Sequence, residues 1–254
     1  MGISYLSVVV NHKTKGIVIK TVKYGETSII AGIYTELYGL QSYIVNGVRT
    51  TSKKGSGGSN LLQPPAILDL VVYHNDLKNL QRLKEFKWGV VYSQLFFNVY
   101  KNSVALFMIE LLQRSLKQPE PNPALYQFIE DAFIHLDNAS DSVVANFSLY
   151  FAIHLSSFYG FRFSDKYSDK TNILDLKEGE FVEERPTHRY YLEGEYSEIT
   201  SHLLKVMQPS ELNQIRLNQE NRRILLHAYE TFYALHVQDF GTMKTLPVLE
   251  AVLS

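Results

Sequence analysis

The residues most suggestive of chemistry lie in one polar stretch, VNGVRTTSKKGSGGSNLLQP at 45–64, which mixes glycines with the cations Arg49, Lys53 and Lys54. A phosphate-binding P-loop requires Gly-x4-Gly-Lys-Ser/Thr running directly into a helix. Here Lys54 precedes Gly55, and a strand-like segment follows, so both spacing and context argue against a nucleotide site. Segments of one type flank the stretch on both sides. We therefore interpret it as a flexible basic loop within a domain, without fixed structure in the absence of a ligand.

Other catalytic or metal-binding patterns are missing from the sequence. The eight histidines form no HExxH motif, no Gly-x-Ser-x-Gly elbow occurs, and there is no cysteine. A cluster of carboxylates lies in a polar segment that we expect to be solvated: Glu178, Glu180, Glu183 and Glu184. We therefore expect neither an enzyme nor a metal or other cofactor.

Charge is divided between the two parts of the chain. Residues 1–80 hold eight Lys/Arg and four Asp/Glu, whereas the remainder holds 17 basic and 22 acidic residues. The overall charge of −1 hides this asymmetry. The N-terminal apolar run is too short for a signal peptide or membrane span, so we expect a cytoplasmic protein that does not enter membranes.

The basic part has the pattern of a small β-barrel. Four segments are rich in β-branched and aromatic residues and are separated by turn residues: 16–24, 28–35, 40–46 and 66–74. A weaker fifth strand is predicted within 77–86. Five short strands with one long loop predict an OB-fold barrel over residues 1–82.

From about Trp88 the hydrophobic period becomes helical. Residues 83–254 are predicted to form a helical domain with five or six helices, giving an α+β protein. The segment 161–195 interrupts it with a polar, irregular insertion containing a possible hairpin. The aromatic stripe of the last long helix has core spacing: Tyr229, Phe232, Tyr233 and Phe240.

Cations and tyrosines share the predicted barrel. Cations that follow a phosphate backbone, together with aromatic faces for base stacking, are typical of single-strand binding by this barrel type. Abundant strand tyrosines and surface lysines remain an alternative explanation. The candidate DNA-binding residues are Lys13, Lys15, Lys20, Lys23, Tyr34, Tyr43, Arg49, Lys53 and Lys54.

The ordered features of residues 15–64 closely resemble the N-terminal OB-fold domain of the RecO family of bacterial recombination mediators. Glu26 precedes the second strand, Gly39 forms the turn into the third, and Gly47-x-Arg49 leads into the basic loop and Leu62-Gln63-Pro64. The C-terminal stretch RRILLHAYETFYALHVQDFGTMKTLPVLEAVL, from 222, is also similar to the family's closing helix and tail.

The resemblance implies a nucleoid-associated DNA repair protein without catalytic residues. Such proteins bind single- and double-stranded DNA, anneal complementary strands, bind the acidic tail of single-strand-binding protein, and with RecR help to load RecA. The resemblance puts the tail's receptor in the helical part, where the candidate cations are Arg114, Lys117, Arg222 and Arg223.

One departure from the family concerns zinc. Many members carry a four-cysteine zinc site about where 161–195 falls, whereas this chain has no cysteine. We therefore predict that the insertion holds together without zinc, through its own hairpin and packing.

Two rival functions differ in class from a DNA-binding mediator. In the first, a non-catalytic adaptor uses its basic barrel to bind an acidic protein, which predicts weak or no DNA binding at physiological salt. In the second, a hydrolase would need an acid/base constellation in the helical part, and the sequence contains no clear one.

Overall fold

The computed structural model describes residues 11–49, 58–117 and 120–253. Five strands direct apolar residues at alternating positions toward a common interior, as a barrel requires. They are β1 (Asn11–Tyr24), β2 (Ser28–Thr35), β3 (Gly39–Val45), β4 (Ile67–Tyr73) and β5 (Leu80–Trp88). A single turn of helix, α1 (Gly58–Leu61), precedes β4.

The strands close into a barrel in the order β1-β2-β3-β5-β4, with β3 and β5 parallel and the other pairs antiparallel. This five-stranded closure confirms the predicted OB-type barrel. A register shift between Val18 and Lys20 marks a bulge in β1. A bulge reverses which side chains face outward, so the second half of β1 presents Lys20, Val22 and Tyr24 to solvent.

The barrel extends further than the predicted limit at residue 82. Strand β5 continues to Trp88, because it must pair with β4 along its whole length, up to Leu68 opposite Trp88. The chain divides into two compact units. The first comprises residues through Val91 together with 116–130, and the second comprises 92–115 and 131–254.

Six helices make up most of the remaining described chain. They are α2 (Val99–Ser115), α3 (Pro123–Asn138), α4 (Asp141–Ser156), α5 (Glu195–Leu204), α6 (Gln219–His236) and α7 (Thr245–Val252). Helix α4 ends earlier than the predicted residue 160, since a 3₁₀ turn at Ser157–Tyr159 leads to Gly160 with φ of 80°. The predicted aromatic stripe is buried: Tyr229, Phe232, Tyr233 and Phe240. Helix α6 ends at His236 rather than at the predicted residue 240, so Phe240 belongs to the segment after it.

Hydrogen bonds to two carboxylates fix the helical unit. Asp137 accepts from the backbone N–H groups of Ser93, Gln94 and Leu95 at 2.7–2.8 Å. Burial opposes ionisation, but these bonds outweigh it and hold the pKa of Asp137 below its ordinary value. The second carboxylate, Glu110 on α2, accepts from the backbone N–H of Thr245 at 2.7 Å and so joins α2 to α7.

The insertion folds as a small three-stranded sheet. Its strands are β6 (Ile173–Asp175), β7 (Glu180–Val182) and β8 (Tyr191–Leu192), with β6 in the centre. The antiparallel β6–β7 pair confirms the predicted hairpin. Asp175 accepts the N–H of Lys177 in its turn, and Phe181 packs edge-on against Tyr167.

Candidate nucleic-acid interface

The outer surface of β1, β2, β3 and the start of β5 forms one continuous sheet face, which we call the open face. Two registered rows of residues cross it, each with one member per strand. The first row is Lys20, Gly32, Ser42 and Leu80, and the second is Val22, Ile30, Ile44 and Arg82. Tyr24 lies beyond the second row, opposite Ser28.

The open face combines exposed apolar groups with positive charge. Val22 is 50% exposed, Tyr24 51% and Leu80 39%. Lys20 and Arg82 are exposed and form no ion pair with any residue in the described ranges. No Asp or Glu belongs to either row. Such a surface offers stacking and apolar contact beside cations that are free to meet phosphates.

Two further cations lie at the end of the β1–β2 hairpin, next to the open face. Lys23 pairs in register with Ile29 at the end of the ladder. Arg49 is fixed against the turn, because its N–H donates to Thr27 O and its guanidinium donates to Gly25 O, both at 3.1 Å. Glu26 is the acidic residue of this turn. Lys53 and Lys54, and with them the predicted flexibility of the loop, lie outside the described residues.

Lys13 and Lys15 lie on a different outer surface, formed by the first half of β1, β4 and the second half of β5. We call it the paired-charge face, because acids accompany its lysines. Lys15 forms a 2.9 Å ion pair with Glu130, and Lys87 lies 3.6 Å from Asp69. Lys84 likewise lies 3.7 Å from Glu85. Lys13 and Glu36 also line this face.

The ion pair of Lys15 changes its proton affinity. The hydrogen bond and charge of Glu130 raise the pKa of Lys15 above its ordinary value, although burial opposes the shift. A lysine held by a buried carboxylate is less available to phosphate. Lys13 and Lys23 are ten residues apart on β1, which is about 30 Å of extended chain. The predicted set of lysines is therefore divided between two surfaces.

Tyr34 and Tyr43 do not present ring faces on which bases could stack, which corrects their prediction as DNA-binding residues. The Tyr34 side chain is 1% exposed. The ring of Tyr126 stacks on it with 6.2 Å between the ring centroids, and the hydroxyl of Tyr34 donates to Asn122 O. Tyr43 points into the barrel and is fully buried. Burial raises the pKa of Tyr34 to about 12 and raises that of Tyr43 further. Both are core residues.

The structure brings residues to the open face that the sequence-based set lacks. They are Tyr24 and Arg82, with Val22 next to Tyr24 on β1 and Leu80 next to Arg82 on β5. Alternation after Lys20 would have identified Val22 and Tyr24, had the bulge in β1 been visible. Arg82 lies on the strand with the weakest sequence pattern, and its pairing with Ile44 places it in the second row.

The four candidate cations of the helical part differ in availability. Arg114 is engaged internally, since its guanidinium donates to Glu110 Oε1 and to Phe240 O. Arg222 and Arg223 line a small notch between α6 and α7, whose apolar residues are Leu226, Leu249 and Leu253. Arg222 also donates to Leu217 O at 2.6 Å. Lys117 is exposed beyond the end of α2.

No group of three or more His, Asp or Glu side chains within residues 11–49, 58–117 and 120–253 is arranged to hold a metal ion. No helix in those same ranges is long and apolar enough to cross a membrane.

A closed five-stranded barrel with this strand order defines the class of OB-fold barrel proteins. Two family models match the chain: "Recombination protein O N terminal" over residues 9–89, and "Recombination protein O C terminal" over residues 97–245. Together they span the barrel and most of the helical part. The chain belongs to the RecO family of DNA repair proteins.

Curated relatives match along nearly their whole length. A protein of Phocaeicola vulgatus is 30% identical over 242 residues, covering 95% of this chain and 99% of its own. One of Flavobacterium psychrophilum is 31% identical over 242 residues with the same coverage. One of Porphyromonas gingivalis is 25% identical, covering 94% of this chain and 98% of its own. Each is named DNA repair protein RecO.

Proposed function

We propose that this chain is a recombination mediator that binds single- and double-stranded DNA, anneals complementary strands and, with RecR, helps to load RecA on DNA covered by single-strand-binding protein. It acts at the bacterial nucleoid and has no catalytic residues. The observation that carries the DNA-binding part is the open face, where Lys20 and Arg82 border exposed Val22, Tyr24 and Leu80 and have no acidic partner among the described residues. Membership of the RecO family supports the remainder.

The proposed mechanism is electrostatic and does not depend on sequence. Lys20 and Arg82 contact phosphates of one strand, and Tyr24 stacks on a base. Neutralised phosphates repel a second strand less strongly, so complementary strands approach and pair. Since every base has an aromatic face, this arrangement tolerates any sequence.

The hairpin end extends the proposed path. Lys23 and Arg49 continue the positive charge beyond the open face, and we include Lys53 and Lys54 because they follow Arg49 closely in the chain. Replacing Arg49, Lys53 and Lys54 with Ala should lower the log–log salt slope of single-strand binding by roughly 0.7 for each phosphate that is no longer neutralised. An unchanged slope and affinity would remove this segment from the path.

For the tail of single-strand-binding protein, we propose the notch between α6 and α7. An acidic peptide that ends in a carboxylate and an apolar side chain requires an apolar recess bordered by cations. Leu226, Leu249 and Leu253 supply the recess, and Arg222 and Arg223 border it. We expect Arg223→Ala to weaken binding of the tail peptide to the full chain, with Lys117→Ala as the matched control. Equal affinities for the two variants would exclude the notch.

The decisive experiment is fluorescence anisotropy with labelled single-stranded DNA across a salt series, paired with a strand-annealing assay. We expect measurable binding at physiological salt, a steep salt dependence and faster annealing than without protein. Absence of both binding and annealing, with capture of an acidic protein instead, would favour the adaptor.

A further inference from the structure

Gly32 occupies the interior of β2, where glycine normally weakens a strand. The backbone conformation does not require glycine, because Gly32 is not one of the described glycines that have a positive φ. Packing does not require it either: an added Cβ would meet only Lys20 Cβ at 3.8 Å and Lys20 O at 3.9 Å, which are ordinary distances. At Gly16, by contrast, an added Cβ would lie 2.6 Å from Ile33. Packing therefore requires glycine at Gly16 but not at Gly32, which pairs with Lys20 next to the bulge in β1.

The surroundings of Gly32 indicate what could use the space above it. Gly32 lies between Lys20 and Ser42 in the first row of the open face, and it is partly exposed. The next row presents Val22 and Ile30, so apolar side chains border the bare backbone on one side. A flat group with apolar faces, attached to an anion that reaches Lys20, matches this shape and charge. A nucleobase of a phosphodiester strand is such a group.

We propose that Gly32 forms the floor of a nucleobase subsite, in which one base of a single strand lies flat on the β2 backbone. The proposal rests on the proposed DNA binding and adds to it a structural basis for selecting single strands. Bases in a duplex are stacked on one another and cannot lie on a sheet, whereas bases of a single strand are free to do so. Val22 and Ile30 border the base, and Lys20 meets its phosphate.

The position of Tyr24 fits a second, adjacent base-binding position. Four residues along β1 separate Tyr24 from Lys20, which corresponds to about 13 Å of strand. The two positions therefore lie on one face along one strand, and an extended oligonucleotide can reach both. At the first position Gly32 leaves space for a base on the backbone, and at the second position Tyr24 offers a ring on which a base can stack.

The test measures binding of the full chain to three labelled probes: a thymidine oligonucleotide, an oligonucleotide of equal length in which the bases are replaced by abasic sites, and a duplex. Gly32→Val fills the subsite with a residue that favours strands. We expect it to weaken thymidine binding about tenfold, the size of one base-stacking interaction, and to change abasic and duplex binding by less than about twofold. The salt slope should not change, because Lys20 still neutralises its phosphate.

Two further variants keep the test interpretable. Glu85→Gln alters the paired-charge face, outside the subsite, and we expect its thymidine affinity to equal that of the unmodified chain. Gly32→Ala adds one methyl group at an ordinary van der Waals distance, so it should fold normally and give a smaller loss of affinity, about threefold, with the same probe dependence. Thermal unfolding of each variant verifies the fold.

The outcomes separate the subsite from the proposed function. Failure of the unmodified chain to bind any DNA would overturn both. Normal DNA binding that is equal for Gly32→Val and the unmodified chain, or equal losses of affinity for the thymidine and abasic probes, would overturn the subsite and leave DNA binding intact.

Discussion

The open face and the paired-charge face belong to the same barrel and share strand β1, yet they present lysine in opposite ways. Lys20 on the open face has no acidic partner among the described residues, whereas Lys15 on the other face is held 2.9 Å from Glu130. The same residue type on one strand is thus exposed to incoming anions at one end and neutralised at the other. The density of lysine along a sequence does not measure the charge that a polyanion meets.

The difference arises from the strands that flank β1. Among the described strands its second half pairs with β2 alone, whose outward positions Ser28, Ile30 and Gly32 are uncharged. Its first half pairs with β4, which places Asp69 directly opposite Lys15, with Lys87 of β5 next to Asp69. Exposed ion pairs of this kind add little to stability, but they cancel the local potential. The open face is therefore positive and the other close to neutral.

Internal pairing of a charge is strongest at Glu110 in the helical unit. Removing this carboxylate is the change from which we expect the largest effect, a loss of stability. Glu110 accepts hydrogen bonds from Arg114, from the N–H of Lys244 and from both the N–H and hydroxyl of Thr245. Glu110→Gln should lower the free energy of unfolding by about 3 kcal/mol, because a neutral amide cannot satisfy these donors. Chemical denaturation measures this change, and DNA affinity at moderate temperature should stay the same.

The same carboxylate predicts a dependence on pH. Burial alone would raise the pKa of Glu110, but its hydrogen bonds outweigh burial and leave the pKa below the ordinary 4.5. Its contribution to stability is therefore complete above about pH 4.5 and is lost as the pH falls through the lower, folded-state pKa. Glu110→Gln should flatten the stability profile in that acidic range. A variant as acid-sensitive as the unmodified chain would contradict the assignment.

Removing two cations from each face tests whether the open face and the paired-charge face differ in DNA binding. Lys20→Gln with Arg82→Gln should weaken single-strand binding roughly 30-fold at low salt and reduce the log–log salt slope by about 1.4. The matched control, Lys13→Gln with Lys87→Gln, removes the same charge from the paired-charge face and should change affinity by no more than about threefold. Anisotropy titrations across a salt series measure both. Equal effects would show that the two faces do not differ toward DNA.

An exposed and a buried tyrosine of the barrel should also differ in their effect on DNA binding, with smaller changes in affinity. Tyr24→Ala should weaken single-strand binding about tenfold because its stacking on a base is removed, while leaving thermal stability nearly unchanged because the ring is half exposed. Tyr34→Ala should do the reverse: destabilise the barrel by about 3 kcal/mol and leave the affinity of the folded protein unaltered. Finding that Tyr34 rather than Tyr24 controls affinity would overturn the open face as the site.

The smallest expected effect concerns Glu26 in the β1–β2 turn. Its charge repels phosphates that approach Lys23 and Arg49. Glu26→Gln should therefore strengthen single-strand binding about twofold at low salt, and the gain in affinity should disappear at high salt as screening increases. Glu85→Gln on the paired-charge face is the control and should leave affinity unchanged. Titration of both variants in one salt series detects the difference.

Much of the fold could be predicted from the sequence because its patterns are local. The predicted second strand, 28–35, matches β2 residue for residue, and the alternation of β3 is visible in Gln41, Ser42 and Tyr43. The fifth strand and the β1 bulge were harder to predict, since both depend on pairing with distant segments. The tyrosine assignments failed for the same reason: alternation does put Tyr34 on an outer surface, but Tyr126 covers it.

The β-barrel followed by helices, the basic N-terminal part, the family resemblance and the lack of cysteine ligands could all be read from the amino-acid order alone. Which cations remain available depends instead on the folded chain. Lys15 meets Glu130 across 115 residues of chain, and Arg114 meets Phe240 across 126. Strand and helix periodicity arise from neighbours a few residues apart, whereas an ion pair requires two particular side chains to be brought together by the closed fold. Local pattern therefore predicted the strands and helices, and long-range packing decided which cations remain available.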